Sequence, residues 1–222
     1  MSKLKSSKTN KSSSARPSYQ NTNNHIFFKS NKHNGYSFLS NFFPYVDDKS
    51  RQAVYDLFEL TLEQIKIAEQ GFIVDNVYYP SREHFYQSQK WKQYPEIAID
   101  ILQQPTALDA KKKNTVWKNK LKKQRRVSSD KPAILTETQL IDIMLQAVDA
   151  HFSQNPILKM MLFSTEGKLL SEIPGRSGGN LWATGPKPTD QDMLGRILES
   201  VRDALLDEYL EDEEEELRIS TF

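Results

Sequence analysis

The run YPSREHFYQSQKW, Tyr79 to Trp91, constrains the fold more than any other stretch of the chain. Pro80 followed by Ser81 marks a helix start with Ser81 as N-cap, and Glu83 in the first turn suits the positive end of the helix dipole. At a helical period, Glu83, Gln87 and Lys90 fall on one stripe within about 60° of each other. Tyr86 flanks that stripe on one side, His84 and Trp91 on the other. Ser88, Gln89 and Lys92 lie opposite, with Phe85 as their only large apolar neighbour. Aromatic rings mark the side withdrawn from water, so the polar stripe is expected on the covered face and the blander set outside. Two readings follow. Glu83 and Lys90 form an ordinary surface pair, or they are buried and belong to a paired, functional site, because unpaired burial of charge is prohibitive.

The 222 residues suffice for one domain with tails, and the net charge of +1 conceals a strong asymmetry. Residues 1–24 are Lys, Ser, Asn and Thr with little to bury, and read as a disordered basic tail. Residues 207–222 form an acidic C-terminal tail whose run DEYLEDEEEEL continues the last helix before fraying. The folded unit is expected over 25–206. With no cysteine, disulfides, thiolate metal sites and cysteine nucleophiles are excluded. His25, His33, His84 and His151 are scattered without metal-ligand spacing, so neither a metal nor another cofactor is expected. No apolar run approaches a membrane span and no signal peptide is visible, which points to an intracellular protein, cytoplasmic or nuclear, with no membrane partner. KKKNTVWKNKLKKQRR, Lys111 to Arg126, contains no acid and one tryptophan; it reads either as a nucleic-acid contact with Trp117 stacked on a base, or as a solvated helix face.

Periodicity predicts a strand at 25–28, one helix over Gln52–Gln70 ending at Gly71, and a hairpin at Phe72–Pro80 turning at Asp75-Asn76. Helices follow at Glu96–Gln103, Ala107–Asn119, Thr138–Phe152, Pro156–Phe163 and Asp190–Leu210, with LLSEI as a short strand. The class is α+β, a mainly helical single domain with a small antiparallel sheet. Between Leu170 and Gly185 a glycine-rich loop carries Trp182, as for backbone approaching a flat or charged ligand. Neither a dinucleotide-binding glycine fingerprint nor a P-loop is present.

In order, SNFFP at 40–44, YPSREHFYQSQK at 79–90, AKKKN at 110–114, the block 142–172, LWATG at 181–185 and MLGRILESVR at 193–202 resemble the NADAR family, the YbiA-like proteins. The resemblance spans about 27–206 and implies that family's fold, with residues near 52–70 as an inserted helix. It also implies an N-glycosidase. Family members act on ADP-ribosylated guanine in nucleic acid or on phosphoribosylamino-pyrimidine intermediates of riboflavin synthesis, so an ADP-ribosyl or phosphoribosyl substrate is expected. By the same resemblance Glu83 is a general acid/base, and Lys90 is a Schiff-base nucleophile or a charge stabiliser. The nucleophilic role requires a partly neutral lysine, which desolvation by Tyr86 and Trp91 would favour. Asn41 and Phe42 would hold ribose and base, Trp182 and its glycines would clamp the nucleotide and its phosphates, and Ser40, His84, Gln87, Glu172, Asn180 and Gly185 complete the expected substrate-binding set. Glu83, Lys90, Asn41 and Trp182 are expected around one pocket. The chain departs from the family pattern at Gly179, where an acid is usual, at Ala183, where Gly is usual, and at Leu135 or Thr136, where a Trp is common. Loss of the late acid leaves a non-catalytic ADP-ribose-binding module as the alternative to an enzyme.

Overall fold

The computed structural model describes residues 19–124, 135–175, 181–185 and 190–220. Among them are eight α-helices and four short strands. Strand β1 (His25–Phe28) pairs in parallel with β4 (Leu169–Glu172), so that Phe28 lies beside Glu172. Strands β2 (Phe72–Val74) and β3 (Val77–Tyr79) form the expected antiparallel hairpin. Its turn residues Asp75 and Asn76 have φ of 51° and 61°, the left-handed pair that a two-residue hairpin loop demands. The α+β class holds, with one addition: a second, parallel pair stands beside the antiparallel one.

The helix expected over 52–70 is two helices, α1 (Asp48–Leu57) and α2 (Leu62–Ala68). Between them Glu59 takes φ of 50°, which stops α1, and Thr61 with Gln64 closes a capping box that starts α2. Helix α3 (Arg82–Gln89) starts where Ser81 caps it, followed by α4 (Pro95–Leu102) and α5 (Ala107–Gln124). Thr136 and Gln139 form a second capping box at the start of α6 (Glu137–Gln154), and Asn155 caps α7 (Pro156–Phe163). Helix α8 (Met193–Ser220) runs straight through the acidic stretch expected to fray. No described helix is long and apolar enough to cross a membrane.

Helix α3 is the hub. It packs against α4, α5 and α6, and its residues Arg82 to Ser88 are all buried. Tyr86 enters the main core with Phe38, Met144 and Leu198. Phe85 enters a second cluster with Phe72, Tyr79 and Ala147, and Trp91, just past the helix end, a third with Ile97, Ile101 and Ala110. The face expected to look outward is covered in part: Ser88 is 3% exposed and bonds the Phe85 carbonyl within its own turn, whereas Gln89 is half-buried and Lys92 exposed. The helical wheel misjudged the Ser88 part of this side because α6 and the hairpin close over Phe85.

Trp117 is also placed differently from the expected base-stacking role. Its ring packs into the third cluster, and its indole N–H donates to Asp100 of α4 at 2.7 Å. At the start of α8, Gly195 lies flush on β4. A Cβ there would stand 1.8 Å from the Leu170 carbonyl oxygen, so only glycine permits this approach. That contact fixes β4, and with it Glu172, against the helix.

Candidate active site

The floor of the site is an arginine. Arg82, fully buried, donates to the carbonyl oxygens of Phe38 and of Ser40, the latter at 2.9 Å, and its guanidinium lies 4.8 Å from the centre of the Phe152 ring. One residue on, the Glu83 N–H donates to the Asn41 carbonyl at 3.0 Å. The loop 38–41 is thereby stapled to the first turn of α3 through three backbone carbonyls. Ser40 is fully buried, and its Oγ accepts from the Phe42 N–H at 3.4 Å. The Asn41 amide donates to Met144 Sδ at 3.2 Å, whereas its Oδ1 is buried with no hydrogen-bond partner. A buried, unpaired acceptor is costly, which marks this loop as strained against α3.

From Glu83 a relay of amides runs along α3. Gln87 Nε2 donates to Glu83 Oε1 at 2.7 Å, and Gln87 Oε1 accepts from Lys90 Nζ at 3.1 Å and from Asn114 Nδ2 of α5. Asn114 Oδ1 in turn accepts from the Trp91 indole at 2.8 Å. The indole can only donate, and that fixes every amide in the chain. Asn114 must turn its oxygen to Trp91 and its NH₂ to Gln87; Gln87 must then present its oxygen to Lys90 and its NH₂ to Glu83. Trp91 thus sets the polarity with which the acid and the lysine are held.

Three further groups surround this relay. Lys111 of α5 sits 4.0 Å from Glu83 Oε1 and 5.0 Å from the centre of the Phe42 ring. Lys90 Nζ lies 3.5 Å over the Tyr86 ring, and Trp182 meets that ring edge-on at 5.3 Å while its indole bonds the Tyr86 hydroxyl. Glu172, at the end of β4, is held by its own N–H donating to Asp192 Oδ1 at 3.1 Å and by its carbonyl accepting from Thr184 N at 3.0 Å. It is packed deep among protein atoms yet keeps a solvent-accessible edge, as a group lining a cleft does.

The environment tunes two of these groups toward neutral pH. Burial, reinforced by Lys118 and Lys111 and opposed by Glu83, pushes the Lys90 ammonium down to about 7. Burial, then Glu83 and Asp192, push the Glu172 carboxyl up to about 8 against the pull of Lys111 and Lys29. The site therefore holds an amine with a substantial neutral fraction and a carboxyl that stays largely protonated. Paired perturbations of opposite sense are the mark of acid–base chemistry.

Glu83, Gln87, Lys90, Asn41, Trp182 and, by electrostatic coupling to Glu83, Glu172 are thus brought together, with Phe42 joining them through Lys111. His84 is turned elsewhere. Its Nδ1 pairs with the Ser81 hydroxyl at 2.8 Å and its Nε2 with the Gln104 carbonyl at 3.0 Å, so it ties the helix start to the loop before α5 instead of facing a substrate. Gly185 is half-buried on the Trp182 loop, and Asn180 lies outside the described residues. Sequence reasoning missed Lys111 and Asn114 as site residues. Their signal was a stripe on α5, with Lys111, Asn114 and Lys118 spaced at i, i+3 and i+7, inside the AKKKN motif and the basic run but given no site role there. Among the described residues no group of three or more acidic, histidine or cysteine side chains is arranged to hold a metal.

A mainly helical α+β domain with a buried carboxylate–amide–lysine centre is the class that fold and site define. The NADAR domain profile matches residues 27–206, and the chain belongs to that family. The NMR structure of the E. coli protein YbiA superimposes with a TM-score of 0.56 at 20% identity, covering 87% of this chain and 91% of that one, which establishes the shared fold. No curated protein matches the sequence significantly.

Asn114→Leu keeps the side-chain volume but strips both amide bonds, leaving the Trp91 N–H unpaired and Gln87 free to turn over. A loss of about 1–3 kcal/mol in unfolding free energy is expected, read from the urea midpoint. An unchanged midpoint would mean the relay does not hold the site.

Proposed function

We propose that this chain is an N-glycosidase that hydrolyses the bond between a ribose C1′ and an amine nitrogen, with ADP-ribosylated guanine as the preferred substrate class. The family includes N-glycosidases, and the observation that carries the reading here is the Glu83–Gln87–Lys90 relay, which holds a partly neutral lysine beside a carboxylate. Nothing in a purely structural ion pair requires a lysine so desolvated or an amide so oriented.

The chemistry balances with these residues alone and water. Glu172, protonated near neutral pH, gives its proton to the ribose ring oxygen. The ring opens as C1′ forms an iminium with the base nitrogen. The neutral Lys90 amine adds to C1′, and Glu83 passes the proton lost by Lys90 to the base nitrogen. That nitrogen leaves with its electron pair as the free amine. Water then adds to C1′ of the Lys90 Schiff base, its proton returns to Glu172, and the sugar is released as Lys90 regains its amine. The unpaired Asn41 Oδ1 would accept from a ribose hydroxyl and hold C1′ in place. Loss of the family's usual acid at position 179 is offset, on this account, by Glu172, which supports the enzyme over the binding module. The lysines of the basic helix α5 would serve the phosphates of the substrate, and Trp117, tied to Asp100, would not stack on a base.

Two tests follow. Borohydride added during turnover of an ADP-ribosylated guanine oligonucleotide should trap an adduct on Lys90. Lys90→Arg should lose nearly all activity, because arginine keeps the charge but cannot attack carbon. An active Lys90→Arg enzyme with no trappable adduct would reduce Lys90 to a charge stabiliser.

The pH profile supplies the second. The rate should rise with pH as Lys90 deprotonates through about 7 and fall as Glu172 deprotonates through about 8, a narrow bell near neutrality. Glu172→Gln should lower the peak and remove the alkaline limb. A flat profile between pH 6 and 9 contradicts these assignments.

A further inference from the structure

Among the described residues, groups of opposite charge flank the site on its two sides. On the loop side lie Glu172 and Asp192, with Glu199 close enough to Asp192 to raise its pKa; Lys29, bonded to the Pro174 carbonyl at 3.2 Å, is a cation there, among the described residues, that acts on Glu172. On the other side a groove of about 850 Å³ opens directly from Tyr86 and Lys90, between the end of α3, the second half of α5 and the start of α6. Its charged lining is Lys90, Lys92, Lys118 and Lys122 against one acid, Asp142. Trp91, Tyr94, Leu140 and Ile143 give it apolar walls. Lys111, Asn114, Lys118 and Lys122 fall on one stripe of α5 within about 80°, and that stripe runs about 16 Å from the Glu83 carboxylate into the groove.

We infer that this groove receives the phosphorylated arm of the substrate, a nucleoside diphosphate whose phosphates lie at Lys118 and Lys122 and whose ring rests on the apolar wall. The inference rests on the proposed glycosidase site and fixes which way round its substrate lies. It reverses the expectation that Trp182 and the loop glycines clamp the phosphates. A diphosphate laid along that loop would lie beside the acidic side chains of Asp192 and Glu199, an opposition that it does not meet along the lysines of α5. The groove also has the volume and mixed lining of a site for a nucleotide-sized ligand, with lysines acting as point charges for phosphate. The leaving base then occupies the loop side, among Phe42, Lys111 and Trp182.

The test is calorimetric binding of ADP-ribose, inorganic pyrophosphate and ribose to the full chain, without turnover. Wild type should bind ADP-ribose and pyrophosphate, but not ribose, with an affinity that falls as salt rises. The exposed pair Lys118→Gln/Lys122→Gln should weaken both anions about tenfold or more, while Lys29→Gln leaves them unchanged. Circular dichroism of each variant checks that the fold is kept. Unchanged affinity in the double variant, loss confined to Lys29→Gln, or no ADP-ribose binding by wild type overturns the inference. So does an unmodified oligonucleotide that loses affinity in the double variant while ADP-ribose does not. A protein that binds ADP-ribose through these lysines yet releases no base supports this orientation and defeats the hydrolytic reading alone.

Discussion

A polar helix at the centre of the molecule is the constraint from which the rest follows. Arg82, Glu83, His84, Gln87 and Ser88 are all buried on α3, and each demands a partner there. Arg82 is met through Nη2 by carbonyls of the loop at 38–41 while its Nε and Nη1 have no hydrogen-bond partner, His84 by Ser81 and Gln104, Ser88 by its own helix, and Gln87 by Asn114. The partners of Arg82, His84 and Gln87 lie on different segments, so satisfying α3 fixes where the loop at 38–41, the turn before α5 and α5 itself must lie. Three aromatic residues at its edges, Phe85, Tyr86 and Trp91, each anchor a separate apolar cluster. Replacing this helix by an apolar one would keep the packing and lose the positional logic, since ring contacts alone tolerate rotation that paired amides do not.

The same burial creates the chemistry. Lys90 stands at the end of α3, where the hydrogen-bond relay terminates and the protein opens to the groove. Its depressed pKa arises from desolvation first and from the lysines of α5 second, with Glu83 pulling the other way. Glu172 is the mirror case, a carboxyl pushed up by burial and by Glu83 and Asp192. Neither shift is intrinsic to its own residue. Each depends on an element far away in sequence: α5 brings the lysines, and α8, through Gly195 and Asp192, seats β4. A structural change in either helix would retune the site without touching a reacting group.

What could be read from the sequence was what local chemistry specifies. Ser81 as N-cap, the Asp75-Asn76 turn, and the polar stripe of Glu83, Gln87 and Lys90 are all signals within a dozen residues, and the structure has them where expected. The break at Glu59 was not legible, because a glutamate in the left-handed region carries no compositional mark. The parallel pairing of β1 with β4 joins residues such as His25 and Leu169, too far apart for any periodicity to reveal. Lys111 and Trp117 share one basic run, yet one faces the carboxylate and the other α4. Only the rotation of α5 against its neighbours separates them. His84 illustrates the converse: a residue inside the most informative motif serves the helix start and not the substrate side.

The central claim is that burial holds Lys90 partly neutral beside Glu83, and its most direct test is a titration of that one side chain. With lysines labelled at Cε with ¹³C and the signal assigned by loss in Lys90→Arg, the chemical shift followed from pH 5 to 11 reports its protonation. The account predicts a midpoint near 7, well below the ordinary value of 10.5. A midpoint at or above 10 would show a fully charged Lys90 across the physiological range, and would contradict both the desolvated site and the nucleophile built on it.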